Sequence, residues 1–469
     1  MFRVGWRGYH REMEAILRAP HAVAGGPYPG EEHALEVRSV ECWHIKVDVG
    51  EADHDGIDSS WLRAQHPTVI VRLTTADGAV GWGEAMGIGG CGEAVKTTIE
   101  TLITPQLLAP AASARTSRNS LAAQAEEQNA ATGAGRAANV VTDIEATMRR
   151  LQQAVHLQGR YGITMFALSG IEIALWDLAA KAHGVPLCEL LRDPTGERAR
   201  PTPHTTLPVY ASLMRYGEPD SVAAVCRAVE GAGFGAVKLH EITEENVAAA
   251  RGALSDGMQM MVDVNCPWTP EESEESSSWM AKYDVLWLEE PVFPPEDFLT
   301  LSRLQSMAAE GRGVDIAAGE NACTAHEFFK MFEAGAVKYA QPSVIKCGGI
   351  VRFTPQMHSR ALLVLTAKAC LQSEICRIGQ MAAASGVRSV PWSFCPGPGF
   401  LATLHLAAVS LNDDILVERI FAEYQDTLFP DMPPVSDGTI AVPAGVGLGY
   451  EVDMAAVERC ELPPPSSKL

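Results

Sequence analysis

Three acidic residues, Asp263, Glu289 and Glu320, each close a short apolar run: V-D-V-N at 262–265, W-L-E-E-P at 287–291 and A-G-E-N at 318–321. A run too apolar for the surface that ends in one acid is the pattern of a buried parallel strand with a functional C-terminal tip. Successive tips lie about 25 to 30 residues apart, the length of one loop, one helix and one strand in a βαβ unit. Carboxylates that converge on one barrel mouth repel unless a cation sits between them. An all-oxygen ligand set suits a hard divalent ion, and Mg²⁺ is the expected one. Asn265 shares the face of Asp263 by strand alternation and is placed to touch the metal's surroundings or a substrate. Upstream, V-K-L-H at 237–240 sets Lys238 and His240 two residues apart, so both face the barrel interior. Q-P-S-V-I-K-C-G-G at 341–349 ends the series.

In this order and spacing, K-x-H, D-x-N, E-E-P, G-E-N and the G-G turn resemble the enolase superfamily, in its mandelate racemase/muconate lactonizing enzyme-like branch. G-W-G-E at 81–84, the run at 161–191 and G-P-G-F-L-A-T-L-H-L-A-A at 397–408 extend the resemblance over most of the chain. It implies an α/β fold: a TIM-type (β/α) barrel, modified as in enolase, with an N-terminal α+β capping domain. It also implies Mg²⁺-dependent removal of a proton α to a carboxylate. Such a proton is weakly acidic, and its loss needs positive charge already in place where negative charge will develop.

Residue by residue, the resemblance selects Glu289 rather than Glu290 as the ligand beside Asp263 and Glu320, since strand neighbours face opposite sides. It gives His240 the place of the base, where the family more often has a second lysine, with Lys238 assisting. Glu418 matches the eighth-strand acid that contacts the substrate. Two positions depart from the pattern. The branch usually pairs a sixth-strand Asp with a seventh-strand His; here Ser343 and Trp392 stand in those places, expected as substrate contacts. Lys346, three residues past Ser343, is read as pointing to the other face in a structural role. With one functional face, the expected chemistry is one-sided: syn elimination of water from a hydroxy-carboxylate or sugar acid by a carbon–oxygen lyase. A cycloisomerase or racemase/epimerase of the superfamily is the alternative, and a non-catalytic metal-binding homologue is the second.

Composition narrows the partners. A chain of 469 residues is long enough for two domains. A net charge of −21 argues against nucleic acid and anionic membranes. A small-molecule carboxylate substrate therefore depends on local positive charge. The resemblance implies a homo-oligomer. No 18 consecutive residues are all apolar, so no transmembrane helix is expected. The 11 cysteines show no C-x-x-C or zinc spacing and read as buried free thiols. Ser467-Lys468-Leu469, after Pro463–Pro465, matches a peroxisomal import signal, so a peroxisomal location is expected, and otherwise a cytoplasmic one.

The elements that must position the site divide the chain. Residues 1–33 read as a poorly ordered leader. The capping domain covers 34–200, with a strand at 37–49 and a hairpin of 68–74 with 79–82 about Asp77-Gly78. The resemblance implies that the loop at 50–66 closes over the site, and a low-complexity insertion occupies about 111–141. A helix at 166–182 carries Glu172 and Asp177, which the resemblance makes structural ties between cap and barrel. The barrel covers 201–420, with strands at 206–211, 235–240, 258–264, 285–289, 315–318, 339–344, 389–394 and 415–418. Residues 351–372 interrupt it at the catalytic mouth. Valine codons begin GT and one glutamine codon ends AG, so this stretch reads either as a retained intron or as a loop insertion. Residues 421–462 are expected to return to the cap, and 463–469 to form an exposed tail.

Overall fold

A small antiparallel sheet begins the structure. β1 (Leu35–Lys46) pairs with β2 (Pro67–Thr75), β2 with β3 (Val80–Met86), and β4 (Val140–Val141) lies on the far edge of β1. The computed structural model describes residues 35–47, 67–109, 140–141, 144–191, 203–349, 374–410, 415–422, 426–432 and 434–463, and the single position 14. The expectations for the leader, the 50–66 loop, nearly all of the 111–141 insertion, the 351–372 stretch and the Ser467-Lys468-Leu469 tail fall outside these residues.

The β2–β3 hairpin turns at Asp77-Gly78, where Gly78 takes φ +89° and Asp77 accepts from Thr75 Oγ1. Val69, Ile70, Val71 and Leu73 of β2 are fully buried. Val69, Val71 and Leu73 face the helix Ile163–His183, while Ile70 on the other face approaches Gly397. The helix is long and apolar enough to cross a membrane, yet 83% of its most apolar stretch is buried in the fold. Close approach of this helix to β3 depends on the second glycine of G-W-G-E. A Cβ on Gly83 would lie 1.9 Å from the carbonyl oxygen of Gly170.

Eight strands follow in parallel: β5 (Thr206–Ser212), β6 (Ala236–Leu239), β7 (Gln259–Asp263), β8 (Val285–Glu289), β9 (Ile316–Ala318), β10 (Tyr339–Ala340), β11 (Arg388–Ser389) and β12 (Val417–Ile420). Each pairs with the next from β5 to β11, and β12 pairs with β5. Among the described residues β11 and β12 share no ladder, but Ser393 joins them. Its N–H donates to Glu418 Oε2 (3.3 Å) and its Oγ to the Glu418 carbonyl (3.0 Å). The sheet thus curls back on itself in chain order, and β6 and β10, the second and sixth strands, stand across the axis from each other. β13 (Thr439–Ala441) adds antiparallel to β5.

The helices that follow β6 to β9 start from side-chain caps. Thr243, Thr269, Asp297 and Thr324 each accept from the N–H three residues on, and Glu272 returns a bond to Thr269. Strand alternation stacks the barrel interior in layers. Tyr210, Ala236, Met261, Trp287 and Tyr339 form an apolar floor, with Trp287 4.9 Å from Tyr339 and 5.9 Å from Tyr210 between ring centres. Two residues further along the strands come Ser212, Lys238, Asp263 and Glu289.

β10 and β11 are shorter than the sequence reading of 339–344 and 389–394. Pro342 and Pro391 lack the N–H that would continue a ladder; the chain turns at 344–348, whereas 390–395 runs on without regular structure, with Trp392 N donating to the Pro342 carbonyl (3.1 Å). The cap is tied to the rest of the chain by buried acids. Asp177 accepts from Trp82 N (2.9 Å), Leu448 N (2.8 Å) and Lys181 Nζ (3.0 Å). Gly348 N donates to Ser169 Oγ (2.7 Å), and a Cβ on Gly349 (φ +101°) would lie 2.1 Å from Glu172 Oε2. The G-G turn therefore rests on the capping helix. At the chain's other end Leu462 N donates to the His44 carbonyl (2.9 Å) and Glu461 pairs with Ile45 on β1.

Candidate active site

Asp263 ends β7, Glu289 ends β8 and Glu320 lies two residues past β9. One carboxylate oxygen from each falls within 4.8 Å of the other two. Glu290, the second acid of E-E-P, turns away at φ +45°, and its Oε1 accepts from Gly319 N (2.9 Å), pinning the end of β9. The three converging groups are a hard, all-oxygen donor set, which fits Mg²⁺ or a like divalent ion.

Lys238 lies beneath them, fully buried. Its Nζ is 2.8 Å from Glu289 Oε1, 2.8 Å from Glu418 Oε1 and 3.3 Å from Asp263 Oδ2. Burial works to lower the Lys238 pKa, but Glu289 and Glu418 outweigh it and raise it well above the ordinary lysine value. Lys238 thus remains an ammonium, donating to Asp263 and Glu289 and ion-paired with Glu418, and it does not line the cavity. That corrects the expectation that it handles protons or the leaving group; its place is that of a counter-ion to the acids. Trp287, two residues before Glu289 on the same face, donates Nε1–H to Glu289 Oε2 (3.0 Å).

The acids differ in charge state. Burial acts to raise Asp263, but Lys238 and His240 hold its carboxyl well below the usual carboxylate range. Burial and the charge of Asp263 push Glu289 up. Burial also raises Glu320, to about 8, with Lys346 pulling the other way. Such mutual repulsion is what a bound cation relieves.

His240 stands one residue past β6. Its Nε2 is 3.1 Å from Asp263 Oδ2, and its Nδ1 has no hydrogen-bond partner among the described residues. Nε2 is thus engaged by Asp263, and Nδ1 is the ring nitrogen left open toward a ligand. The arrangement suits a base: one nitrogen orients the ring and the other is free to react.

Above these groups opens a cavity of about 760 Å³, within the range of small-molecule sites. His240, Asp263, Asn265, Glu320 and Glu418 line one part of it, and Lys346, Trp392 and Phe394 another. Met86, Ile88 and Gly89 come from the cap, so the capping domain supplies part of the wall. Asn265 N donates to Asp263 Oδ1 (3.0 Å). Arg215, past β5, also lines the cavity, with Nε on the His240 carbonyl (2.6 Å) and Nη2 on the Val264 carbonyl (3.3 Å).

Two expectations on the opposite wall need correction. Ser343 is buried and is not among the residues that line the cavity, and its Oγ has no hydrogen-bond partner among the described residues. Lys346 does line the cavity. The expectation that it faces away assumed strand alternation through 344. Instead the chain turns: Lys346 N and Cys347 N both donate to the Ser343 carbonyl, at 3.1 and 2.9 Å. That turn swings Lys346 to the mouth, 5.2 Å above the Trp392 ring and 5.9 Å from that of Phe166. Arg215 and Trp287 were missed as well. Trp287 was available from its i, i+2 relation to Glu289; Arg215 carries no signal beyond its place after a strand.

The family model for the mandelate racemase/muconate lactonizing enzyme N-terminal domain matches residues 59–192. The model described as enolase C-terminal domain-like matches 220–359 and 353–456, two segments that overlap inside the stretch read as an insertion. The arabinonate dehydratase of Saccharolobus solfataricus is 27% identical over 396 residues, covering 83% of this chain and 90% of that protein. The D-galactarolactone cycloisomerase of Agrobacterium fabrum is 28% identical over 334 residues, covering 67% and 79%. In fold, the chain is similar to the crystal structure of a member of the enolase superfamily from Polaromonas sp. JS666. The TM-score is 0.69 at 24% identity, over 92% of this chain and 98% of that one.

Proposed function

The chain belongs to the mandelate racemase/muconate lactonizing enzyme family, within the enolase superfamily, and from that premise we propose that it is a Mg²⁺-dependent dehydratase of a sugar acid. It removes the proton α to the carboxylate and eliminates the β-hydroxyl as water. The observation that carries this reading is the convergence of Asp263, Glu289 and Glu320 beside His240, with His240, Asp263 and Glu320 lining one cavity. The likeness to an arabinonate dehydratase supports the substrate class.

The residues divide the work as follows. Asp263, Glu289 and Glu320 would hold the cation, which supplies positive charge to the substrate's carboxylate as electrons move onto it. His240 takes the α-proton, its ring oriented by Asp263. Lys238 keeps Asp263, Glu289 and Glu418 gathered below the reacting carbon, and Trp287 fixes the rotation of Glu289. Asn265 and Trp392 contact the sugar chain. The cap residues Met86, Ile88 and Gly89 shield the site from water.

A cycloisomerase is the second reading, favoured by the likeness to the D-galactarolactone enzyme. There the same base would act and a ring oxygen, not a hydroxyl, would depart. Proton NMR in D₂O with Mg²⁺ and a panel of C5 and C6 aldonates and aldarates, with their lactones, tests both. Dehydration gives a 2-oxo-3-deoxy acid carrying one deuterium at C3; cycloisomerisation gives an open acid from a lactone without net loss of water. Absence of product and of α-proton exchange from every acid would contradict the enzymatic reading. Chelation of the metal, or His240→Asn, should abolish both signals.

A further inference from the structure

We infer that Lys346 is the proton donor to the departing hydroxyl, acting on the face of the substrate opposite His240. The inference rests on the dehydratase reading above. His240 follows β6 and Lys346 follows β10, the second and sixth of eight strands arranged in chain order around the barrel. Both line the same cavity, so a substrate seated over the acids of β7 to β9 lies between them. The residues that stand in the places of the opposing pair, Ser343 and Trp392, supply no acid: Ser343 is a buried hydroxyl outside the cavity lining and Trp392 is an indole.

How Lys346 is held distinguishes it from Lys238. Among the described residues no carboxylate lies within 4.0 Å of its Nζ, and the ammonium rests on the Trp392 and Phe166 rings. A cation held by ring faces keeps its N–H bonds free for a ligand. The nearest comparable cation in the cavity, Arg215, is bonded to the His240 and Val264 carbonyls and stands on the His240 side. Lys346 is therefore the cationic donor facing the other side of the substrate.

The step balances. The Cα–H bond breaks, the proton goes to His240 and the electron pair moves onto the carboxylate. The pair returns to form the Cα=Cβ bond as the Cβ–O bond breaks, and the departing oxygen takes a proton from Lys346 Nζ and leaves as water. The enol then gains a proton at Cβ and loses one from oxygen to give the 2-oxo acid, and a solvent-mediated proton transfer from His240 to Lys346 resets both residues. This makes the elimination anti, in place of the one-sided syn course that the missing pair led the sequence reading to expect.

The test separates the two proton transfers in Lys346→Met and His240→Asn, with the Mg²⁺-loaded protein and the panel aldonate turned over fastest. Its 3-deoxy analogue, which has no β-hydroxyl, reports α-proton exchange in D₂O alone. Its 3-fluoro-3-deoxy analogue reports elimination of a leaving group that needs little protonation. Lys346→Met should keep exchange within a few-fold of wild type, lose dehydration by roughly 10²- to 10⁴-fold, and recover most of the loss with the fluoro analogue. His240→Asn should lose all three. Dehydration by Lys346→Met at the wild-type rate, or equal loss of exchange, dehydration and fluoride release, would overturn the inference and leave the dehydratase reading standing. A wild-type protein that neither exchanges nor dehydrates any panel acid would remove that reading, and this inference with it.

Discussion

The walls built by β7 to β9 and by β10 to β12 face each other over one cavity and treat buried charge in opposite ways. On the first, Asp263 and Glu289 are packed against a fully buried Lys238, with Glu320 beside them. On the second, Lys346 rests on aromatic rings. Behind that wall lies one more buried acid, Glu84, held by Thr68 Oγ1 (2.7 Å) and Gly399 N (2.8 Å). Burial raises its pKa to about 7, against those hydrogen bonds. The two lysines show that residue type does not set the role. Three carboxylates make Lys238 a fixed counter-ion, whereas two rings leave Lys346 able to serve a ligand.

Substitution of the lysines should break the comparison most sharply. Lys238→Met leaves buried carboxylates without their counter-charge and should cost about 3–5 kcal/mol of stability in urea unfolding. Lys346→Met removes a cation–ring contact and should cost about 1 kcal/mol. Equal costs would mean that the two sites are held alike.

Glu84 should give the next effect. Its folded-state pKa lies above the unfolded value, so the native state holds the extra proton. Stability from this group is fully present below about 4.5 and is lost as pH rises through about 7, an effect on the order of 3 kcal/mol. Glu84→Gln should flatten that stretch of the stability profile in thermal melts. A wild-type profile already flat between these limits would contradict the charge state given to Glu84.

The acid wall should respond to Mg²⁺, by about 2.7 kcal/mol at a hundredfold excess over Kd. Because Glu320 must lose its proton to bind, affinity should rise with pH through about 8 and level off above it. Calorimetry in buffers of different ionisation enthalpy should show proton release on binding, lost in Glu320→Gln.

The same contrast explains what could be read from the sequence. The β7–β8 ladder shifts register between Met260 and Val262, but both strands then run in step to their tips, so alternation carries Asp263 and Glu289 correctly to the interior, and Met261 and Trp287, two residues earlier, to the floor. On β6 it does the same for Lys238 and His240, although the three-carboxylate shell that removes Lys238 from the reaction comes from strands distant in sequence. β10 and β11 are only two residues long. Past Pro342 the chain turns at 344–348, and past Pro391 it has no regular strand, so the inside–outside parity that strand patterning relies on ends. Lys346 was therefore assigned to the wrong side. Arg215 acts through backbone carbonyls of neighbouring strands, a relation that no local pattern records.

The central claim is that Asp263, Glu289 and Glu320 share one divalent cation in front of His240. Anomalous diffraction from crystals soaked in Mn²⁺, a Mg²⁺ stand-in with a usable signal, tests it most directly. A single peak bonded to one oxygen from each of the three acids, with His240 facing the same cavity, is the result expected. A peak on other residues, or none at saturating Mn²⁺, would contradict it.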